Sequence, residues 1–75
     1  MFTEIFKFGK WTVSINQYRT ELKFDNRFTT CYAYLDREKG NFRFDRDVAP
    51  EYIVEKALKW ATRDGNMVSI YSDNI

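Results

Sequence analysis

Apolar and polar residues alternate through most of residues 3–45, the signature of strands that turn one face to a core. The pattern is cleanest over 11–16, where Trp11, Val13 and Ile15 alternate with Thr12, Ser14 and Asn16. Just before it, Phe6 and Phe8 fall on one face and Ile5 and Lys7 on the other. Gly9-Lys10 between the two runs suits a two-residue type II′ hairpin loop, which takes glycine at its first position. Such a loop sets Phe8 opposite Trp11 and Phe6 opposite Val13, so that all four share a face.

Residues 17–45 read as three further antiparallel strands. A reversal at Asn16-Gln17 leads into 18–24, where Tyr18, Thr20, Leu22 and Phe24 alternate with Arg19, Glu21 and Lys23. Asp25-Asn26, read as a type I′ pair, sets Leu22 opposite Thr29, Thr20 opposite Cys31, and Tyr18 opposite Ala33. In the loop over 36–41, four loop residues ending in a left-handed Gly40 place Leu35 opposite Phe42 and Ala33 opposite Phe44. A slip of one residue there would turn both phenylalanines to the other face.

After Asp45 the period changes from two to that of a helix. Over 50–64, Ile53, Val54, Ala57, Leu58 and Ala61 form one apolar stripe with Trp60 at its edge. Pro50 suits a first turn, Asp47 is a candidate N-cap, Glu51 and Glu55 lie near the start, and Lys59 and Arg63 near the end. Gly65 is the stop. A short strand over 66–72, with Val68 and Ile70 inward, returns to a sheet edge. The expected fold is therefore α+β: an antiparallel meander of five strands, one helix on its apolar face, and a C-terminal strand. Strands spaced about 4.8 Å apart make a sheet wider than one helix of about 10 Å. Either the sheet curls around the helix or a partner, most simply a second copy in a homodimer, covers the rest.

Composition narrows this picture. Seventy-five residues form a single domain, 1–75, whose small core must be dense. Seven Phe, five Tyr and two Trp supply that density. Twelve basic residues against eleven acidic leave a net charge of +1, which gives no global attraction to nucleic acid or to an anionic membrane. One cysteine excludes an internal disulfide and fits a reducing compartment. No continuous apolar run suggests a signal peptide or a membrane span, so a soluble cytoplasmic protein is expected.

Catalytic chemistry finds little to work with. There is no histidine, so the commonest general base is missing, and with a single cysteine an ordinary zinc site is excluded. Cys31 falls on the core face of a central strand, where a small buried hydrophobe is the expectation. Asp36, Glu38, Asp45 and Asp47 surround one hairpin end and fit turn formation, capping and solubility. They do not fit a calcium loop, because Gly40 would occupy a ligand position and Asn41 the glycine position. We expect no enzyme, no metal and no cofactor.

The outer face of the meander carries the candidate site. The pairings above set Arg19 opposite Tyr32, Arg43 opposite Tyr34 and Lys23 opposite Phe28. Cross-strand stabilisation explains such pairs, and so does recognition, since Tyr and Arg are enriched at binding hot spots. Tyr52 falls opposite the apolar stripe of the helix and extends this surface with Lys56 and Lys59. The candidate partner-binding residues are Arg19, Lys23, Phe28, Tyr32, Tyr34, Arg43 and Tyr52. A protein partner is the first expectation. A single-stranded RNA or DNA is the alternative, through base stacking and backbone contacts. Lys39 to Phe44, K-G-N-F-R-F, resembles the K-G-F-G-F core of RNA-binding sheets but lacks its middle aromatic. In size, aromatic content and lack of a catalytic set, the chain resembles small phage and mobile-element accessory proteins, including anti-defence and anti-CRISPR inhibitors. That resemblance is one of overall makeup, and it implies an inhibitor that occludes a partner protein.

Overall fold

A computed structural model describes residues 1–63 and 65–69 of the chain. Five antiparallel strands form one open sheet in chain order: β1 (Phe2–Phe8), β2 (Trp11–Asn16), β3 (Glu21–Asp25), β4 (Thr30–Asp36) and β5 (Asn41–Phe44). One helix, α1 (Glu51–Ala61), follows the sheet. The fold is α+β, with β1 and β5 as the outer strands of the sheet.

The first hairpin has the expected register, with Phe8 opposite Trp11 and Phe6 opposite Val13. Gly9 has φ +60 and Lys10 does not share a positive φ, as a type II′ loop requires. The register then shifts between Glu4 and Phe6, so that Ile5 forms a β-bulge. A bulge exchanges the two faces of the strand beyond it. Phe2, opposite Asn16, consequently turns to the outer face, away from Phe6 and Phe8.

The two loops flanking β3 differ from expectation. The strand begins at Glu21, not at Tyr18, and residues 17–20 form a loop organised by Asn16. The Asn16 Oδ1 accepts the backbone N–H of Thr20 at 2.8 Å and of Glu21 at 3.0 Å, while its Nδ2 donates to the Thr20 hydroxyl at 2.8 Å. Arg19 takes the left-handed conformation, φ 59. At the other end Asp25 pairs with Thr30, so the loop is 26–29 rather than Asp25-Asn26. A type I′ turn needs positive φ at both central residues, and neither Asp25 nor Asn26 has it. Instead the Asn26 Oδ1 accepts the N–H of Phe28 and of Thr29, each at 2.8 Å. The β3–β4 pairing thereby moves by four residues: Leu22 faces Ala33 and Phe24 faces Cys31. Four is even, so every side chain keeps its face.

The last hairpin has the expected register, with Leu35 opposite Phe42, Ala33 opposite Phe44, and Gly40 at φ +69. Its loop hangs on Asp36, whose main-chain oxygen accepts the Gly40 N–H at 2.9 Å.

The core lies between the inner face and α1. Val13, Leu22, Phe24, Ala33 and Leu35 from the sheet meet Ile53, Ala57 and Ala61 from the helix, all inaccessible to solvent. Phe24 is its centre, with the rings of Phe42 and Phe44 at 5.8 and 5.6 Å. Ala57 and Ala61 are the small residues of the helix's buried stripe, and Ala49 and Met67 belong to the same core. Toward β1 the cover comes from long side chains. Tyr52 packs on Phe8 with ring centroids 5.8 Å apart, and the Lys56 ammonium stands 5.7 Å from the Phe6 ring and 5.0 Å from the Phe8 ring. One helix with its fringe thus covers most of the inner face, although Phe8 remains 42% exposed.

Asp47 is not the helix cap. Pro50 holds that position with φ −59 and ψ 149, and its carbonyl accepts the N–H of Ile53 and of Val54 at 3.1 Å each. The helix ends at Ala61, short of the expected 64. Thr62 caps it, and Gly65 makes the turn beyond with φ +78. Residues 66–69 of the expected last strand form no ladder, and its remaining residues, Ile70 included, lie outside the described ones. Val68 is 53% exposed and Met67 is buried, the reverse of the expected inward Val68. This segment is fastened to two loops. The Val68 N–H donates to the Arg19 carbonyl at 2.7 Å, the Arg19 Nε to the Asn66 carbonyl at 3.0 Å, and an Arg37 Nη to the Met67 carbonyl at 2.9 Å.

Candidate functional site

Period-two alternation carries Lys23, Tyr32, Tyr34 and Arg43 to the outer face of β3, β4 and β5. The ladder orders them into two rows. Glu4, Ser14, Lys23 and Tyr32 stand opposite one another from β1 to β4, and Glu21, Tyr34 and Arg43 from β3 to β5. Lys23 therefore faces Tyr32, not Phe28, and Tyr34 has Glu21 on one side and the expected Arg43 on the other.

Phe2 joins this face, and sequence reasoning missed it. Its ring lies 5.9 Å from that of Tyr32, and the Lys23 ammonium stands 5.0 Å from the Phe2 ring. Three strand spacings, about 14 Å, separate β1 from β4, so both rings lean inward over β2 and β3. Ser14 beneath them is only 6% exposed although it belongs to the outer face. The available signal was the consecutive apolar pair Ile5-Phe6, which breaks strict alternation and marks the bulge.

The remaining expected site residues lie elsewhere. Arg19 is in the 17–20 loop, tied to the segment after the helix. Phe28 stands at the tip of the 26–29 loop, 87% exposed, with the Arg27 guanidinium 5.7 Å from its ring. Tyr52 is on α1, on the opposite side of the sheet, against Phe8.

Charge on the outer face is fixed by Asp36. This side chain is inaccessible to solvent, with one carboxylate oxygen accepting the Lys39 N–H at 3.1 Å and the other the Arg43 Nε at 3.1 Å. The Lys39 N–H, then the Arg43 guanidinium, then the Glu38 N–H hold its carboxyl below the ordinary 3.8, against the opposing effect of burial. The ion pair in turn holds the half-exposed Arg43 in place beside Tyr34.

Cys31 is buried on the inner face, where burial, with a smaller contribution from the charge of Asp47, pushes its thiol up from 9.0. A raised pKa and lost access both disfavour a nucleophile. Asp45, Arg46 and Asp47 border a hollow beside Thr30, Cys31 and Tyr32, and the Asp45 N–H donates to the Tyr32 carbonyl at 3.1 Å. Among the described residues no three His, Cys, Asp or Glu side chains gather as metal ligands would, and no helix is long and apolar enough to cross a membrane. Comparison with protein-family models, curated proteins and solved structures finds no match to this chain.

Proposed function

We propose that the protein is a non-catalytic binding module that recognises another protein through the outer face of its sheet. The observation that carries this reading is the Phe2–Tyr32–Lys23 stack beside Tyr34 and Arg43. Aromatic rings and a lysine are pinned against one another on a face the core does not need. Side chains already held in place lose little freedom on binding, and Tyr and Arg are the residues that dominate protein interfaces. Interspersed Glu4 and Glu21 favour a protein surface of mixed charge over a phosphate backbone. The finer form of the reading is an inhibitor of the phage-accessory kind, working in a reducing cytoplasm and occluding a surface its partner needs.

Immobilised protein incubated with a lysate of its native cells at near-physiological salt tests this. We expect a protein retained by the wild type and lost by Tyr32→Ala and Arg43→Ala. Retention that nuclease treatment abolishes, with binding to oligo(dT) or oligo(U) that falls steeply with salt, would favour a single-stranded nucleic acid instead. Equal retention by the wild type and both variants would remove the outer face from the account.

A further inference from the structure

On the other side of the molecule, α1 lays a second surface along β1. Tyr52, Lys56, Lys59 and Arg63 are spaced four, three and four residues apart, so they share one face of the helix and its first turn beyond. That stripe runs beside Phe6 and Phe8. Two adjoining hollows lie along it and share Lys56 and Lys59. One, of about 240 Å³, is bounded by Phe6, Trp60 and Arg63, and the other, of about 300 Å³, by Phe8, Tyr52 and Glu55. Lys56 is pinned over the two phenylalanine rings. Lys59 and Arg63 are exposed, and neither carries an ion pair among the described residues.

The strand beside this groove pairs only with β2 among the described residues. Half of the backbone groups of an outer strand point away from the sheet and can pair with an added strand. We infer that the β1–α1 groove binds an extended, acidic segment of a partner protein, which adds to β1 as a sixth strand and sets its carboxylates against Lys59 and Arg63. Because side chains of a strand alternate between its two faces, the carboxylates all lie on the helix side, at the hollows that Lys59 and Arg63 line, and the intervening apolar side chains lie on the outer side of the sheet. From Tyr52 to Arg63 the helix runs about 16 Å, the length of about five extended residues.

The chemistry of the groove favours this occupant over two others. A second copy meeting through a two-fold axis would set the same cationic groove against itself, and like charges would repel. Single-stranded nucleic acid would need bare rings for stacking, yet Lys56 and Tyr52 already lie over Phe6 and Phe8. Cations facing an acidic strand satisfy both the charge and the open backbone. This groove is on the opposite side of the sheet from the stack proposed above, so either surface can fail without the other.

The test uses the full chain and labelled ten-residue peptides that alternate Asp or Glu with Leu or Phe. The comparison probes are peptides with Lys in place of the acids, and oligo(dT). Binding is read by fluorescence anisotropy and by backbone amide resonances. We expect only the acidic alternating peptide to bind, with outward-pointing amides of residues 2–8 gaining protection from exchange. Lys59→Glu with Arg63→Glu should weaken binding at least about tenfold, and Lys39→Glu, on a distant loop, should not. The inference is overturned if the acidic peptide does not bind, or if oligo(dT) binds better. It is equally overturned if the β1 amides stay unchanged on binding or are already protected in the free protein.

Discussion

The two faces of the sheet obey different rules. On the inner face, which side a residue occupies is almost everything. The β3–β4 pairing sits four residues from the one read off the sequence, yet Leu22, Phe24, Cys31 and Ala33 remain in the core, because an even shift preserves the face. On the outer face the identity of each neighbour matters. The same shift takes Phe28 away from Lys23 and supplies Tyr32, and it leaves Arg19 in a loop. A core built by burial tolerates a sliding partner, whereas a surface built from pairs does not.

The largest effect should come from the inner face. Phe24→Ala empties the space between Phe42 and Phe44, and such truncations cost about 3–5 kcal/mol. A domain of this size holds only about 4–11 kcal/mol in total, so urea denaturation should find the variant stripped of at least about a quarter of its stability. The outer-face counterpart, Tyr32→Ala, should cost about 0.5–1.5 kcal/mol, the worth of one aromatic pair and its cross-strand contacts. Equal losses from the two would erase the distinction between the faces.

The loops rank next. Asn16→Ala removes two acceptor bonds and one donor bond that shape 17–20. We expect a loss of about 1–3 kcal/mol in the same denaturation experiment. Gly40→Ala forces a side chain into a left-handed position and should cost about 1–2 kcal/mol.

The smallest effect is one of pH. Because Asp36 is depressed in the folded protein, its stabilising contribution is complete above its ordinary 3.8. It is lost as pH falls below 3.8 through the lower folded-state value. Urea midpoints measured across that window should fall for the wild type, and the fall should flatten in Asp36→Asn.

Much of this was legible in the sequence, and the missing parts have physical causes. Alternation with a period of two located the five strands and the inner face, and the helical stripe of Ile53, Ala57 and Ala61 placed α1. The β1–β2 and β4–β5 registers were legible because Gly9 and Gly40 announce positive φ. The loops at 17–20 and 26–29 were not, because their organisers are side chains. Asn16 and Asn26 each bind two backbone N–H groups, and that geometry leaves no mark in hydrophobic patterning. The candidate site suffered most. Lys23, Tyr32, Tyr34 and Arg43 share a face as expected, but Phe2 entered through a one-residue bulge, and Arg19 departed to hold the chain after the helix. Tyr52 went to the groove beside β1, since a residue off the helix's buried stripe can still meet the edge of a sheet that is wider than the helix.

The central claim is that the outer face is for binding and the inner face is for folding. Tyr32→Ala combined with Arg43→Ala tests it most directly, through quantitative retention of the partner by protein shown by denaturation to remain folded. The account predicts a double variant that still unfolds cooperatively in urea, with the Asp36 carboxylate keeping the Lys39 N–H, and loss of the partner. A folded double variant that retains the partner as well as the wild type would contradict it.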